Sequence, residues 1–123
     1  MQFRTRKLIK PEDLNPRQRL FGGRLLAWID EECAIYAGCQ LQTSSIVTKY
    51  MSEINFLRPA CCGDVIEFGV ETAEVGTTSI TLRCEVRQKV SKEPIITVER
   101  VVFVALDVEG KPAVHCLASR PAA

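Results

Sequence analysis

The order of apolar and polar side chains divides this chain of 123 residues into one helical stretch and a series of strands. Residues 24–37 are mostly good helix formers, preceded by Gly22-Gly23 and followed by Gly38, which predicts a helix that stops at Gly38. Steps of ~100° per residue set Leu26, Ile29, Cys33, Tyr36 and Ala37 on one side. Trp28 and Ile35 fall on roughly the opposite side, beside Arg24 and Glu31. A helix apolar on more than one face is expected to be covered by more than one neighbour.

After the helix the period changes from 3.6 to 2. Residues 46–56 are rich in β-branched and aromatic side chains. Residues 65–75 set Ile66, Phe68, Val70 and Thr72 on one face and Glu67 and Glu71 on the other. Residues 77–90 alternate more cleanly, with Ile80, Leu82, Cys84 and Val86 against Ser79, Thr81, Arg83, Glu85 and Arg87. That pattern fits an antiparallel sheet with one buried face. Residues 95–108 are apolar with less alternation, which predicts a strand in a central position covered on both faces. Residues 2–9 add a possible N-terminal strand. Turn signals fall at Gly63-Asp64, Val75-Gly76, Lys92-Glu93-Pro94 and Glu109-Gly110. One long helix must bury itself against the only sheet available. The expected fold is therefore a two-layer α+β domain of about five strands, the sheet curled around the helix. It spans residues 1–123 as a single unit, with a loose tail after Val114.

Composition adds exclusions. Sixteen basic and 15 acidic side chains give a formal net charge of +1, which provides no global field for nucleic acid or an acidic membrane surface. No apolar run reaches the ~18 residues of a membrane helix. The N-terminus, with Arg4, Arg6, Lys7 and Lys10, reads as a solvated strand face and not as a leader. The expectation is a soluble, cytoplasmic protein with its six cysteines reduced. No C-x-x-C pair occurs and His115 is the only histidine, so the spacing offers no metal site.

Asp30 is the residue most suggestive of chemistry. It falls on the flank of the apolar stripe, among Leu26, Cys33, Ala34 and Ala37, whereas Glu31 points to solvent. A carboxylate among apolar side chains is costly unless paired, and functional sites are where that cost is tolerated. The competing reading is a peripheral acid that caps a loop or meets a lysine. Gly22-Gly23 at the helix N-terminus offers unpaired amides and the positive end of the dipole. Such a terminus can polarise a carbonyl and hold the charge that develops during acyl transfer. A simple tight turn is the competing reading there.

Three blocks then give a family resemblance. Asp13-Leu14-Asn15, Phe21-Gly22-Gly23 and Asp30 form the first. Asn55-Phe56-Leu57-Arg58-Pro59 with Gly63-Asp64-Val65 forms the second, and Gly76-Thr77-Thr78-Ser79-Ile80 the third. In this order and spacing they resemble the hotdog-fold acyl-CoA thioesterases of the bacterial YciA type and the related brain acyl-CoA hydrolases, from about residue 5 to residue 108. The resemblance implies a hotdog fold and a site at a homodimer interface, with sheets joined edge to edge and often assembled as a trimer of dimers. It implies Asp30 as general base or nucleophile towards an acyl-CoA thioester. Asn15, lent by the partner subunit, would position substrate or water, and the backbone at Gly22 and Gly23 would form the oxyanion site. Arg58 and the segment Gly76, Thr77, Thr78 and Ser79 would hold coenzyme A. Arginine's planar fork suits a phosphate, although a solvated arginine before a turn proline is the plainer reading of Arg58. Hydrolysis would need no cofactor, coenzyme A being part of substrate and product.

Cys61-Cys62 departs from the valine or lysine that relatives often carry there, which leaves no lysine contact to coenzyme A from that loop. Cys33 reads as a small core residue and His115 as a surface residue outside the resemblance. A hydratase of this fold would pair an acid with a histidine, and His115 lies far from the helix in sequence. The remaining alternative is a non-catalytic acyl-CoA sensor.

Overall fold

The computed structural model describes residues 1–118. Five antiparallel strands form one sheet: β1 (Gln2–Leu8), β2 (Ile46–Phe56), β3 (Val65–Val75), β4 (Ser79–Gln88) and β5 (Pro94–Ala105), in the spatial order β1-β3-β4-β5-β2. A single long helix, α1 (Gly22–Leu41), lies across the inner face, and a 3-10 turn at Pro11–Asp13 connects it to β1. The core is the seam between α1 and the sheet. Ile29, Cys33 and Ala37 from the helix and Ile66, Ile80, Leu82, Cys84, Val86, Ile96, Val98 and Val101 from the strands are all fully buried there. Truncating an isoleucine or leucine at such a seam to alanine costs ~2–5 kcal/mol.

The strands from residues 46–56 and 65–75 match the sequence reading, and the helix departs from it. It starts two residues earlier and runs through Gly38 to Leu41. Gly38 does not stop it. A Cβ at Gly38 would stand 3.2 Å from the Thr43 carbonyl, so glycine there admits the returning chain. Termination falls to Gln42, which takes the left-handed conformation (φ 54°) and donates its N–H to the Gly38 carbonyl. The buried stripe is Leu25, Ile29, Cys33, Ala37 and Leu41, slightly rotated from the expected one, and Leu26 and Tyr36 are only half-buried. Trp28, on the far side, is half-buried edge-on against Phe68, their centroids 6.5 Å apart, with Lys7 over its ring. Ile35 is left 56% exposed.

β5 is an interior strand as expected, paired with β4 on one side and β2 on the other, although β4 holds the middle of the sheet. The weak alternation of β5 has a local cause. Leu82 pairs with Val101 and Cys84 with Val98, so β5 carries one extra residue at Glu99–Arg100. The bulge resets the phase and lets Val98 and Val101 both be buried. β5 also ends earlier than expected, at Ala105, and Val108 lies fully exposed in a tight loop. The Asp107 carboxylate holds that loop by accepting from the amides of Glu109 and Lys111.

Two residues read as solvent-facing are buried. Glu67 is 2% exposed because Arg87 (2.7 Å) and Lys92 (3.0 Å) reach over it, with Arg6 at 3.9 Å. Burial alone raises the Glu67 pKa, but the hydrogen bonds and charges of Arg87 and Lys92 outweigh it and hold the carboxyl below the usual range. His115 is 5% exposed, and the segment after Val114 is not loose as far as Ala118: Leu117 packs against the core. Residues 119–123 lie outside the described residues.

Candidate active site

Asp30 sits near the middle of α1, half-buried, on the flank that faces β2. The Thr48 hydroxyl on β2 donates to Asp30 Oδ1 at 2.7 Å. β2 bulges there: Thr48 pairs with Phe103 and Tyr50 with Val102, leaving Lys49 as the extra residue. Bulges re-aim side chains, and this one stands directly beside the carboxylate's partner. Sequence reading missed Thr48. Its only signal is a threonine in a β-branched strand, and the strand's pattern does not reveal which helix residue it meets. One turn beyond Asp30, hydrogen bonding with Cys84, burial and then the nearby charges push the Cys33 thiol well above the ordinary cysteine range. It is an inert core thiol at neutral pH.

Gly22 and Gly23 open α1 as expected. The N-cap, Phe21, contributes no side-chain bond, and no acidic residue stands in the first turn. The first-turn amides therefore lack a capping side chain. Aromatic rings crowd this terminus: a Cβ on Gly22 would meet Phe56 at 3.3 Å and one on Gly23 would meet Phe21 at 2.9 Å. Asp30 stands seven and eight residues further along the helix, ~10–12 Å at 1.5 Å per residue. A carbonyl bonded to one of those amides lies within ~3 Å of it, several ångströms short of Asp30 in the same chain.

Asn15 makes no hydrogen bond to Asp30 among the described residues. Its Oδ1 accepts from the amides of Arg17 (2.9 Å) and Arg19 (3.2 Å), closing the 15–19 turn and leaving its NH₂ group as the outward donor. The neighbouring Asp13 is a buried brace. It accepts from the Lys10 amide at 3.0 Å and faces Arg24 at 3.6 Å, tying the 3-10 turn to the start of α1.

Arg58 is paired, not free. Its Nε meets Glu93 at 2.7 Å and its Nη1 donates to the Pro94 carbonyl at 3.2 Å, with the side chain 48% exposed. It borders a groove of about 270 Å³ that also touches Gly22, Leu25, Phe56 and Ile95, so the structure brings Arg58 and the helix N-terminus together. The segment Gly76, Thr77, Thr78 and Ser79 is a tight turn between β3 and β4, closed by the Gly76 amide donating to the Ser79 carbonyl at 3.0 Å. Ser79 Oγ fills the space that a Cβ on Gly76 would need.

These residues divide between the two ends of the sheet. Ser79 pairs with Val104 at one end of β4 and Arg87 with Pro94 at the other, beside Arg58. Eight residues of strand separate them, ~26 Å. Thr48 and Ile80 both pair with Phe103, which puts the Asp30–Thr48 pair towards the 76–79 end. Gly22 and Arg58 stand at the opposite end. A further groove of about 440 Å³ lies on the other flank of α1, over Phe68 and Val70 and below Ile35 and Tyr36, away from Asp30. The Tyr36 hydroxyl at this groove lies 2.9 Å from the Thr72 hydroxyl. None of the six cysteines forms a disulfide, and among the described residues no group of three or more His, Cys, Asp or Glu could hold a metal ion. No helix of the described residues is long and apolar enough to cross a membrane.

Comparison with known proteins supplies a context for this geometry. The family model described as "Thioesterase superfamily" matches residues 18–95. The acyl-CoA thioester hydrolase YciA of Escherichia coli K12 is 36% identical over 113 residues, covering 87% of this chain and 85% of the relative. A hexameric thioesterase from Yersinia pestis superposes with a TM-score of 0.85 at 31% identity, covering 93% of this chain and 94% of that one. An acyl-CoA hydrolase from Staphylococcus aureus, solved with butyryl coenzyme A, coenzyme A and coenzyme A disulfide, superposes with a TM-score of 0.82 at 31% identity. The match covers 90% of this chain and 66% of that one. That hydrolase has also been solved with an aspartate, an asparagine or a threonine replaced by alanine.

Proposed function

We propose that this chain, which belongs to the thioesterase superfamily and has its hotdog fold, is an acyl-CoA thioester hydrolase that acts as one unit over its whole length. The observation that carries the reading at the level of the site is the Asp30 carboxylate held by Thr48 in the middle of α1. Water and the thioester are converted to a carboxylic acid and the free thiol of coenzyme A. Asp30 either takes the proton of the attacking water, or attacks the thioester carbon to give an anhydride that water then opens. The amides of Gly22 and Gly23 hold the oxyanion, and the NH₂ group of Asn15 orients the substrate. No cofactor enters; coenzyme A arrives as part of the substrate and leaves as product.

The spacing of these groups supports a site shared between two copies. Within one chain the helix N-terminus and Arg58 stand at one end of the sheet, and Asp30 lies towards the other. Two copies joined antiparallel, edge to edge, bring the opposite ends together. Of the two edges, β1 presents Arg4 and Arg6, which discourage strand addition, whereas β2 presents Val47 and Tyr50, 44% and 52% exposed. We therefore assign β2 as the joining edge of a homodimer. The Yersinia pestis relative is hexameric, and a trimer of dimers is the assembly we propose here. Six cysteines, none of them in a disulfide, support a cytoplasmic setting.

Loss of thioester ultraviolet absorbance from a panel of short to long acyl-CoAs tests the reading, because it is blind to the protein's own cysteines. Wild-type turnover that falls by ~10²-fold or more in a folded Asp30→Asn variant is the expected result. A wild type that binds acyl-CoA without cleaving it is a sensor, and the proposal is then wrong.

A further inference from the structure

His115 is the only histidine of the chain, and nothing in the proposed chemistry uses it. It is nonetheless 5% exposed, and both of its ring nitrogens are engaged. Nδ1 accepts from the Leu117 amide at 3.2 Å, so the ring proton sits on Nε2. Nε2 donates that proton to the Ser79 carbonyl at 2.7 Å. The His115 amide donates to the Thr77 carbonyl at 3.2 Å, and the Ala105 amide donates to the Thr78 carbonyl at 2.8 Å. Three successive carbonyls of the 76–79 turn are thereby drawn inward, two of them by this one residue.

The inward carbonyls decide what the turn shows outward. In a trans peptide the C=O and the following N–H point in opposite directions. With the Thr77 carbonyl bonded to His115, the Thr78 amide is turned away from the tail. The outer side of the turn then offers that amide beside the threonine hydroxyls, while the carbonyls of Thr77, Thr78 and Ser79 are engaged inward. An outward amide beside hydroxyls that are free to donate suits a phosphate oxygen. The tail that carries His115 is anchored independently. The Ala113 amide donates to the Ala105 carbonyl at 2.8 Å, the Cys116 thiol approaches the Leu41 carbonyl at 3.4 Å, and Leu117 packs on the core.

From this geometry we infer that His115 is a positioning residue for the phosphate-bearing part of the coenzyme A ester. It acts through the 76–79 turn and does not touch the ligand. The inference rests on the reading of that turn as a coenzyme A contact. It adds that the C-terminal segment sets the turn's donor-outward conformation.

Steady-state kinetics of His115→Ala with acyl-CoA and with the matching acyl-pantetheine, which lacks the nucleotide phosphates, test it. The KM for acyl-CoA is expected to rise about tenfold, the worth of one or two lost hydrogen bonds. The kcat stays within about twofold, and neither constant changes for acyl-pantetheine. His115→Gln, whose side-chain amide can still donate to Ser79, restores most of the KM. Equal losses with both substrates, or a lowered kcat with unchanged KM, would mark a general structural role and overturn the inference. Coenzyme A titrated into the isotope-labelled wild type separates the two ideas. If the Thr77 and Thr78 amide signals stay still, the reading of the turn fails and the inference with it. If they move while His115→Ala leaves the KM unchanged, the turn stands and the role of His115 is refuted.

Discussion

Replacing Thr48 with valine removes one hydroxyl at nearly constant volume and leaves the Asp30 carboxylate without its 2.7 Å donor. A hydrogen bond to a charged group is worth ~1.5–3 kcal/mol. Thr48 is exposed and Asp30 half-buried, so solvent replaces part of the loss and ~1–2 kcal/mol remains. If the bond orients the carboxylate in the transition state, that difference lowers kcat/KM by about 5- to 30-fold at 1.36 kcal/mol per decade. The loss is smaller than for Asp30→Asn because the reacting group itself survives. Thr48→Ser keeps the donor and is expected to stay within about threefold of wild type. The discriminating measurement is a double-mutant cycle read by loss of thioester absorbance. On an Asp30→Asn background, Thr48→Val has no carboxylate left to orient and is expected to cost almost nothing. A folded Thr48→Val enzyme with unchanged kcat/KM would refute the reasoning. So would a penalty of the same size on both backgrounds.

Two further outcomes follow from other parts of the fold. The Glu67 carboxyl is held below its unfolded value, so its contribution to stability is complete above that value, ~4.3, and is lost as pH falls through the folded one. Glu67→Gln is therefore expected to cost ~1–3 kcal/mol in urea melts near neutral pH, discounted because Arg87 and Lys92 keep access to water. The gap to wild type should narrow as pH falls below ~4.3 and through the lower folded value, and a gap independent of pH would contradict the assignment. At the β2 edge, Val47→Glu with Tyr50→Glu sets like charges facing themselves across a two-fold axis. Sedimentation should show loss of the β2-joined dimer, and activity should fall at least ~10-fold if the site is shared. Fully active monomers would sink the two-copy site.

What could be read from the chain was whatever depends on near neighbours. β2 and β3 match the ranges drawn from alternation because each residue's face is set by the next one along. Gly38 misled because glycine ends a helix only if no other use claims it, and its use is contact with Thr43 after the turn. Glu67 and His115 were misplaced for the same physical reason on a longer scale. The charges that bury Glu67 stand 20 and 25 residues away on β4 and in the loop after it, and the carbonyl that His115 meets lies 36 residues back. Thr48 escaped because its partner is on another element altogether. The motif blocks were legible one by one, but their spatial distribution was not. Antiparallel strands return the chain to either end of the sheet, so Arg58 and the 76–79 turn, 18 residues apart in sequence, stand ~26 Å apart along β4. Groups proposed to act on one ester of coenzyme A are more readily brought together by two copies than by one across that distance. The separation is thus an argument for the dimer in its own right, because a two-fold at the β2 edge turns opposite ends of one chain into neighbouring ends of two.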